Sequence, residues 1–213
     1  MRYVFPKSWA LNDMSPRYRL FRVLMRALGA IFLGFEVHGA QRAPDKGPLV
    51  VAANHRRFFD PVFVSMAVPR RLRWMAKQEL FAFPLRRFFY FIGSFPVDRQ
   101  GGGRAGLRTA LNLLAEGRVL GIFPEGTRQK EGEAGEAKTG TVVLALRSGA
   151  PVLPVFAGPI PPPAARLRGA RFHVYVGDPI SIDNTLRGRQ AYREAADEIL
   201  RVIYALPERH GVG

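Results

Sequence analysis

The stretch LVVAANHRRFFDP, residues 49–61, places an apolar run directly before a polar loop and a helix-start signal. Residues 49–54 predict a short buried strand, because short apolar runs bounded by turn signals are typical of buried strands. Asp60 and Pro61 indicate that a helix begins there, since Asp can cap a helix and Pro tolerates its first position. A strand that leads through a loop into a helix is typical of α/β folds.

The same alternation continues along the chain. Further strand-like segments occur at residues 72–77, 119–123, 151–157 and 172–178. Helix-like segments occur at residues 107–116, 141–149 and 191–206, and the first two have a terminating Gly at or next to their ends. The pattern predicts an α/β fold: a single domain with a central mixed sheet flanked by helices. Residues 131–137 and 159–171 are rich in Gly, Glu or Pro and predict surface loops.

An amphipathic helix is predicted over residues 17–35, RYRLFRVLMRALGAIFLGF. Apolar side chains recur there at helical spacing, at Leu20, Phe21, Leu24, Leu28 and Phe32, while Arg19, Arg22 and Arg26 mark a cationic side. These charges make the run unsuited to crossing a bilayer. Two interpretations stay open: a helix lying at a membrane interface, or a helix packed on the domain with its Arg side chains in water. We divide the chain into a membrane-associating helical segment, residues 1–45, and a domain, residues 46–213.

The composition restricts the class of partner. Lys and Arg number 32 against 17 Asp and Glu, a net charge of +15, which favours polyanions such as lipid headgroups, phosphorylated substrates or nucleic acid. A general basic bias is the alternative explanation. With no Cys and four His, we expect no disulfide and no metal site. Because residues 1–6 lack signal-peptide features, we expect the protein to face the cytoplasm.

The loop after the first strand contains a histidine and a carboxylate five residues apart, His55 and Asp60. On one continuous helix the two would point about 140° apart. With His55 in the loop, the chain can instead fold the imidazole back towards Asp60. A carboxylate on one ring nitrogen fixes the tautomer and leaves the other nitrogen as a base. The alternative is a capping Asp beside a loop His without catalytic function.

A second polar turn, FPEGTR at residues 123–128, follows the strand at 119–123. Polar turns at strand ends are where α/β proteins place their sites. Arg128 is suited to a phosphate group, since a guanidinium offers paired donors, and Gly126 permits a close backbone approach. The alternative is a plain turn with a local Glu125–Arg128 ion pair.

These motifs resemble those of the glycerolipid acyltransferases, the 1-acyl-glycerol-3-phosphate acyltransferases of the PlsC type. The first family block, NH-x4-D, is matched by Asn54, His55 and Asp60, and the third, FPEGTR, is matched letter for letter. The second is matched by GSFPVDR at residues 93–99 and the fourth by PVLPV at residues 151–155. Lys77, in AKQELF, also fits the family pattern. The blocks occur in the family's order over about residues 48–158.

The resemblance implies a reaction and the residues that perform it. His55 would be the general base on the acceptor hydroxyl, and Asp60 would orient it. Lys77, Arg99 and Arg128 would hold the acceptor's phosphate, within a site to which Glu125, Gly126 and Thr127 also contribute. The hydroxyl would attack an acyl thioester of coenzyme A or acyl carrier protein directly, without an acyl-enzyme and without a metal or other cofactor.

The implied substrate is lysophosphatidic acid, converted to phosphatidic acid in phospholipid biosynthesis. Another lipid acceptor, such as a lysophospholipid, glycerol 3-phosphate, or an ornithine or glycan lipid, is the alternative. The implied location is the cytoplasmic face of the inner membrane, where the protein would bind an anionic surface peripherally. The chain departs from the family at residues 56–59, RRFF, where a small polar residue is common, and at Ala137, where Phe is favoured.

Two rival interpretations of the sequence are a dinucleotide-binding site and nucleic-acid binding. Gly101, Gly103 and Gly106 fit the G-x-G-x-x-G pattern of dinucleotide sites, although DRQ separates them from the preceding apolar run. The charge also permits nucleic-acid binding, but no specific nucleic-acid module is recognisable.

Several aromatic side chains near Arg86 and Arg87 are candidates for acyl-chain or membrane contact, although core packing explains each singly: Phe58, Phe59, Phe81, Phe83, Phe88, Phe89, Tyr90 and Phe91.

Overall fold

The computed structural model describes residues 14–97, 104–130 and 135–210. The helices are α1 (Pro16–Leu33), α2 (Asp60–Ala67), α3 (Arg86–Phe91), α4 (Arg104–Ala115), α5 (Gly140–Ser148), α6 (Pro163–Leu167) and α7 (Arg189–Arg209). The strands are β1 (Phe35–His38), β2 (Leu49–Ala53), β3 (Leu72–Lys77), β4 (Ser94–Val97), β5 (Val119–Ile122), β6 (Val152–Ala157) and β7 (Phe172–Val176). Helices and strands alternate over most of this length, as the sequence predicts.

The seven strands form one mixed sheet in the order β1-β7-β6-β2-β5-β3-β4. The five strands from β6 to β4 are parallel neighbours. β7 runs antiparallel to β6, and β1 runs parallel to β7. The carboxyl ends of β2, β3, β4, β5 and β6 therefore meet at one edge of the sheet, which is where sites form in open α/β sheets.

The sheet separates two apolar layers, and β2 shows why its residues are all buried. Successive side chains of a strand point to opposite faces. Val50 and Ala52 pack in the layer that contains α4, α5 and α7, whereas Leu49, Val51 and Ala53 pack in the layer that contains α2. A strand covered by helices on both faces has to be apolar at every position, which accounts for the uninterrupted run LVVAA.

The five predicted strands are confirmed, and so are the helices predicted at residues 17–35, 107–116, 141–149 and 191–206, each within a few residues of its ends. Two strands, β1 and β4, were not predicted from the sequence, and they lie at the two edges of the sheet. β4 contains Pro96, a residue that edge strands tolerate but that argues against a strand in general. β1 also lies inside the segment 1–45 that we set apart, so the sheet begins before the predicted boundary at residue 45.

Helix α1 is oriented differently from either expectation. Arg22 is buried, and its guanidinium donates to the carbonyl of Val68 at 2.7 Å and of Met66 at 3.5 Å, at the end of α2. Arg26 donates to the carbonyl of Met66 at 3.3 Å. The prediction that Arg22 faces solvent or headgroups is therefore wrong. The last carbonyls of a helix lack intrahelical partners and carry partial negative charge, which explains why they attract these guanidinium groups.

The outer side of α1 is apolar. Six large side chains, each 43–74% exposed, form what we call the α1 apolar face: Leu20, Val23, Leu24, Leu28, Ile31 and Phe32. Within the described ranges, none of the helices has both the length and the apolar character needed to cross a bilayer.

Candidate active site

The two polar motifs meet at the edge of the sheet where the parallel strands end. His55 follows β2, the FPEGTR turn follows β5, and Lys77 ends β3. β2 and β5 pair directly, with Ala52 opposite Ile122, so the residues that follow them are neighbours. The fold thus brings the first and third family blocks together.

His55 and Asp60 form the contact predicted from their spacing. The Nδ1 atom of His55 lies 3.3 Å from Oδ2 of Asp60, which is fully buried. The same carboxylate oxygen accepts the backbone N–H groups of Arg56 and Arg57, both at 2.6 Å. Asp60 is the first residue of α2, and its side chain binds the preceding loop rather than the helix, so the prediction of a helix-capping Asp is wrong. Its carboxylate instead folds the loop so that the imidazole faces it.

The backbone of His55 is bonded on both sides to the turn after β5. Its N–H donates to Oε2 of Glu125 at 2.7 Å, and its carbonyl accepts the N–H of Gln129 at 2.8 Å. The preceding residue, Asn54, exchanges two hydrogen bonds with the backbone of Ala157 at the end of β6. These bonds leave the His55 side chain as the part of the residue that can meet a substrate, and that side chain is 17% exposed.

Glu125 is a buried carboxylate with a structural partner at each oxygen. Oε2 accepts from His55, and Oε1 accepts the hydroxyl of Tyr204 in α7 at 2.6 Å. Burial raises the pKa of Glu125 above its ordinary value, although the bonds from Tyr204 and the His55 backbone counteract this. Burial, followed by the bond to Glu125, also raises the pKa of Tyr204. Nothing in the sequence pointed to Tyr204, because a tyrosine in an amphipathic helix carries no signal of a polar partner elsewhere.

The ring of His55 is part of an aromatic stack. It lies on Phe123 with ring centroids 4.0 Å apart, and Phe123 lies on Trp74 of β3 at 4.7 Å. Trp74 also lines a small apolar pocket with Phe21 of α1 and Val62 of α2. The imidazole therefore has a polar edge towards Asp60 and an apolar face. Phe123 was recognised only as part of FPEGTR, and Trp74 was not singled out.

Of the six predicted phosphate-binding residues, four are exposed, one is buried and one lies outside the described part of the chain. Lys77, Gly126, Thr127 and Arg128 are all exposed at the carboxyl edge of the sheet. Gly126 has φ of 72°, a backbone conformation that favours glycine and turns the chain there. Glu125 is the exception, because it points inwards. Arg99 lies outside the described residues.

The aromatic residues near the site divide between core and surface. Phe89 is buried, and Phe81, Tyr90 and Phe91 are partly buried, as expected for packing. Exposed apolar side chains remain at Phe58, Phe59, Phe83, Leu85 and Phe88. Phe58 and Phe59, which pack on each other with ring centroids 5.2 Å apart, are exposed in the segment between His55 and α2.

The glycine-rich pattern has a packing explanation at its one described position. Gly106 lies in α4, and a Cβ built there would be 2.5 Å from Cγ1 of Val97 in β4. The glycine therefore permits close helix–strand contact. Gly101 and Gly103 lie outside the described residues.

Comparison with known proteins gives a consistent family. The sequence profile of the acyltransferase family matches residues 34–158. The chain is 34% identical over 129 residues to the 1-acyl-sn-glycerol-3-phosphate acyltransferase of Bacillus subtilis, covering 59% of this chain and 64% of that protein. It is 30% identical over 145 residues to the protein of that name from Borreliella burgdorferi, covering 64% and 58%. The chain thus spans less than two thirds of the length of these relatives.

The fold has a counterpart among solved structures. The crystal structure of the 1-acyl-sn-glycerophosphate (LPA) acyltransferase PlsC from Thermotoga maritima superposes with a TM-score of 0.67. The match covers 94% of this chain and 85% of that chain at 22% identity. It supports the mixed sheet flanked by helices, including the N-terminal helix.

The contact between Tyr204 and Glu125 predicts a pH-dependent loss of stability. A raised pKa means that Glu125 contributes most to stability below its pKa in the unfolded chain, and that this contribution is lost as pH rises through the folded pKa. Tyr204→Phe removes a hydrogen bond that lowers the pKa of Glu125. The stability lost in this variant should therefore increase with pH, as the carboxylate becomes charged. We expect a loss of about 1–3 kcal/mol at pH 8, a fall in Tm of about 2–10 °C, and a smaller fall at pH 5.

Tyr192→Phe is the matched control, since it removes a hydroxyl from the same helix about 18 Å away. Thermal unfolding of both variants at the two pH values measures the effect. A Tyr204→Phe loss that is equal at pH 5 and pH 8, or no greater than that of Tyr192→Phe, would contradict the coupling to Glu125.

Proposed function

The chain belongs to the acyltransferase family, and from that premise we propose that it transfers a fatty acyl group from a thioester to the free hydroxyl of lysophosphatidic acid, giving phosphatidic acid. The observation that carries the proposal is the pairing of His55 with Asp60, with the imidazole stacked on Phe123, at the sheet edge that also carries exposed Lys77 and Arg128. The names of the relatives support this acceptor. The donor is acyl-CoA or acyl-carrier protein.

The geometry supports a single direct displacement. Asp60 accepts a hydrogen bond from the Nδ1–H group of His55, which leaves the unprotonated Nε2 free to take the proton of the acceptor hydroxyl. The hydroxyl oxygen then attacks the thioester carbonyl, forming the new ester C–O bond as the C–S bond breaks. The thiol leaves with the proton that the imidazolium returns. The motif provides no Ser or Cys nucleophile, so no acyl-enzyme is needed.

Asp60 also stabilises charge in this scheme. When the imidazole accepts the proton it becomes a cation, and the buried carboxylate 3.3 Å from Nδ1 stabilises that charge. The backbone N–H groups of Arg56 and Arg57 donate to the same oxygen and hold the carboxylate in place. They take no part in proton transfer to or from the substrate. Interactions of fixed groups with developing charge are strongest in sites that exclude water.

The phosphate of the acceptor is assigned to the exposed cations at the sheet edge. Lys77 is the last residue of β3, and Arg128 ends the FPEGTR turn that follows the neighbouring strand β5. Arg99 joins them by resemblance. Gly126 and Thr127 form the turn between the site and Arg128. Because both oxygens of Glu125 are engaged, we assign this residue to hold the His55 backbone rather than to contact phosphate.

The α1 apolar face supports peripheral membrane binding. Burying a large apolar side chain contributes about 1.5–3 kcal/mol when complete, so six half-exposed side chains contribute about 5–10 kcal/mol. An exposed basic residue near an anionic leaflet adds about 1 kcal/mol, and Arg22 cannot take part because it is buried. The apolar contribution therefore dominates. Because thioester donors are cytoplasmic, the membrane face is assigned to the cytoplasmic side of the inner membrane.

Substitutions of the proposed base and its partner test the chemistry. His55→Ala should lower turnover by about 10²–10⁴-fold, the usual contribution of a general base. Asp60→Asn should also lose turnover, because an amide cannot stabilise an imidazolium as a carboxylate does. Its remaining oxygen can still accept the N–H groups of Arg56 and Arg57, so the fold should persist. Thiol release by purified protein in lipid vesicles, with acyl-CoA and acyl-carrier protein in parallel, is the measurement.

His210→Ala is the control, since this histidine lies at the end of α7 and should leave turnover unchanged. Near wild-type turnover in His55→Ala with an intact melting curve would refute the mechanism. Thioester consumption with another lysophospholipid but not with lysophosphatidic acid would refute the acceptor while leaving acyl transfer in place.

Vesicle binding tests the α1 apolar face. The double variant Leu24→Glu with Ile31→Glu should lose most of its binding to neutral and anionic vesicles, because it puts two charges into the inserting surface. The matched control, Asn112→Asp with Gln190→Glu, adds the same charge on α4 and α7, across the sheet from α2, and should bind like wild type. High salt should remove only the additional binding to anionic vesicles, relative to the binding to neutral vesicles. Flotation in which both double variants bind equally well would contradict the assignment.

A further inference from the structure

Three of the chain's four histidines lie together at the edge of the sheet opposite β4, on β1, on β7 and after α7. His38 is on the edge strand β1, His173 is on β7, and His210 follows α7. In the pairing of β1 with β7, Glu36 lies opposite His173 and His38 lies opposite Tyr175. Side chains of alternate residues share a face, so Glu36, His38 and His173 are on the same side of the two strands.

The potential ligand atoms of Glu36, His38 and His173 converge, and all lie within 4.8 Å of one another. Nε2 of His38 lies 3.0 Å from Nδ1 of His173, and that same Nδ1 lies 3.5 Å from Oε2 of Glu36. One ring nitrogen thus faces an imidazole nitrogen and a carboxylate oxygen at once. A proton on Nδ1 can satisfy only one of the two, whereas a metal ion among them can bind all three groups.

Two of the three ligand separations are close to those in a coordination shell, and the third is no more than 4.8 Å. Zinc binds His nitrogen and carboxylate oxygen at about 2.0–2.2 Å, so adjacent ligands of a tetrahedral ion are about 3.3–3.5 Å apart. The measured 3.0 Å and 3.5 Å lie close to this separation. Magnesium and calcium prefer sites made entirely of oxygen ligands, while imidazole with carboxylate suits zinc and related transition metals.

The surroundings leave this group of ligands intact and accessible. His38 stacks on Tyr175 with ring centroids 4.9 Å apart, which fixes its ring. Arg171 lies 3.6 Å from Oε1 of Glu36, leaving Oε2 towards His173. Arg42 lies 2.9 Å from Nε2 of His210, so that nitrogen is already engaged by a cation and His210 is not assigned as a ligand. The side chains of His173 and Glu36 are 25% and 47% exposed, so an ion from solution can reach them.

We propose that Glu36, His38 and His173 form a binding site for one divalent transition-metal ion of the zinc class, with solvent completing its coordination. The ion would join β1, the edge strand, to β7. Gly34 alone separates β1 from α1, so such a cross-link would brace the strand that follows the α1 apolar face. The composition led us to expect no histidine-based metal site, but folding brings together residues that are far apart in sequence.

Metal titration of untagged, chelator-treated protein tests the proposal. ZnCl₂ in competition with a chromophoric chelator should show one ion per chain, and CoCl₂ should give the visible absorption of a low-symmetry site. At an ion concentration 100 times Kd, Tm should rise by about 5–10 °C. Glu36→Gln, His38→Gln and His173→Gln should each weaken binding, the histidine changes by at least about 100-fold, since outer-shell changes alone cost 10–100-fold.

His210→Gln and His55→Gln are the controls and should bind as wild type does. Melting curves in chelator identify any variant that is unfolded, and NMR of the imidazole nitrogens in wild-type protein provides an independent measurement: zinc should shift His38 and His173 but not His55. Less than one ion bound per chain, or unchanged affinity in His38→Gln and His173→Gln, would overturn the proposal. An equal loss in His210→Gln would overturn the assignment of ligands.

Discussion

His55 is bonded through both of its backbone polar groups to the turn that follows β5, and the rest of the site depends on this attachment. The neighbouring strands β2 and β5 end together, so the turn reaches the loop without any long connection. Glu125 accepts one of these bonds, and Tyr204 of α7 accounts for its second oxygen. Elements distant in sequence thus fix the position of one residue.

The two buried carboxylates on either side of His55 have separate roles. Asp60 contacts the imidazole and sets its orientation, whereas Glu125 contacts the backbone and sets the position of the residue. Both carboxylates are almost completely buried, which is costly unless their oxygens are hydrogen-bonded. The bonds to Oδ2 of Asp60 and to both oxygens of Glu125 offset this cost and hold the site together. Oδ1 of Asp60 has no hydrogen-bond partner among the described residues and lies 3.8 Å from Nη1 of Arg57.

Helix α1 shows a reversal of the usual pattern, with a buried Arg and an exposed apolar surface. Arg22 faces inwards because the end of α2 presents carbonyl groups without helical partners. The apolar residues are then left on the outside, where water would disfavour them and a lipid surface would not. Arg22 and Arg26 attach the helix to the end of α2, and its apolar side stays exposed.

The sequence was sufficient for the α/β class, for five strands and for the contact between His55 and Asp60, because each depends on local pattern or short spacing. It did not predict β4, because Pro96 argues against a strand except at a sheet edge. It also did not predict that Arg22 faces inwards, since an amphipathic pattern does not say which side of a helix packs on the protein. Tyr204 and the three-residue group of Glu36, His38 and His173 depend on contacts between distant segments, which no single-sequence pattern records.

We infer that Asp60 holds His55 as the Nδ1-protonated tautomer, with Nε2 free to act as the base. Nitrogen NMR of imidazole-labelled protein at neutral pH, assigned by comparison with His55→Gln, measures this directly. We predict a protonated Nδ1 and an unprotonated Nε2 for His55. A His55 ring that carries its proton on Nε2 in the wild-type protein would contradict it.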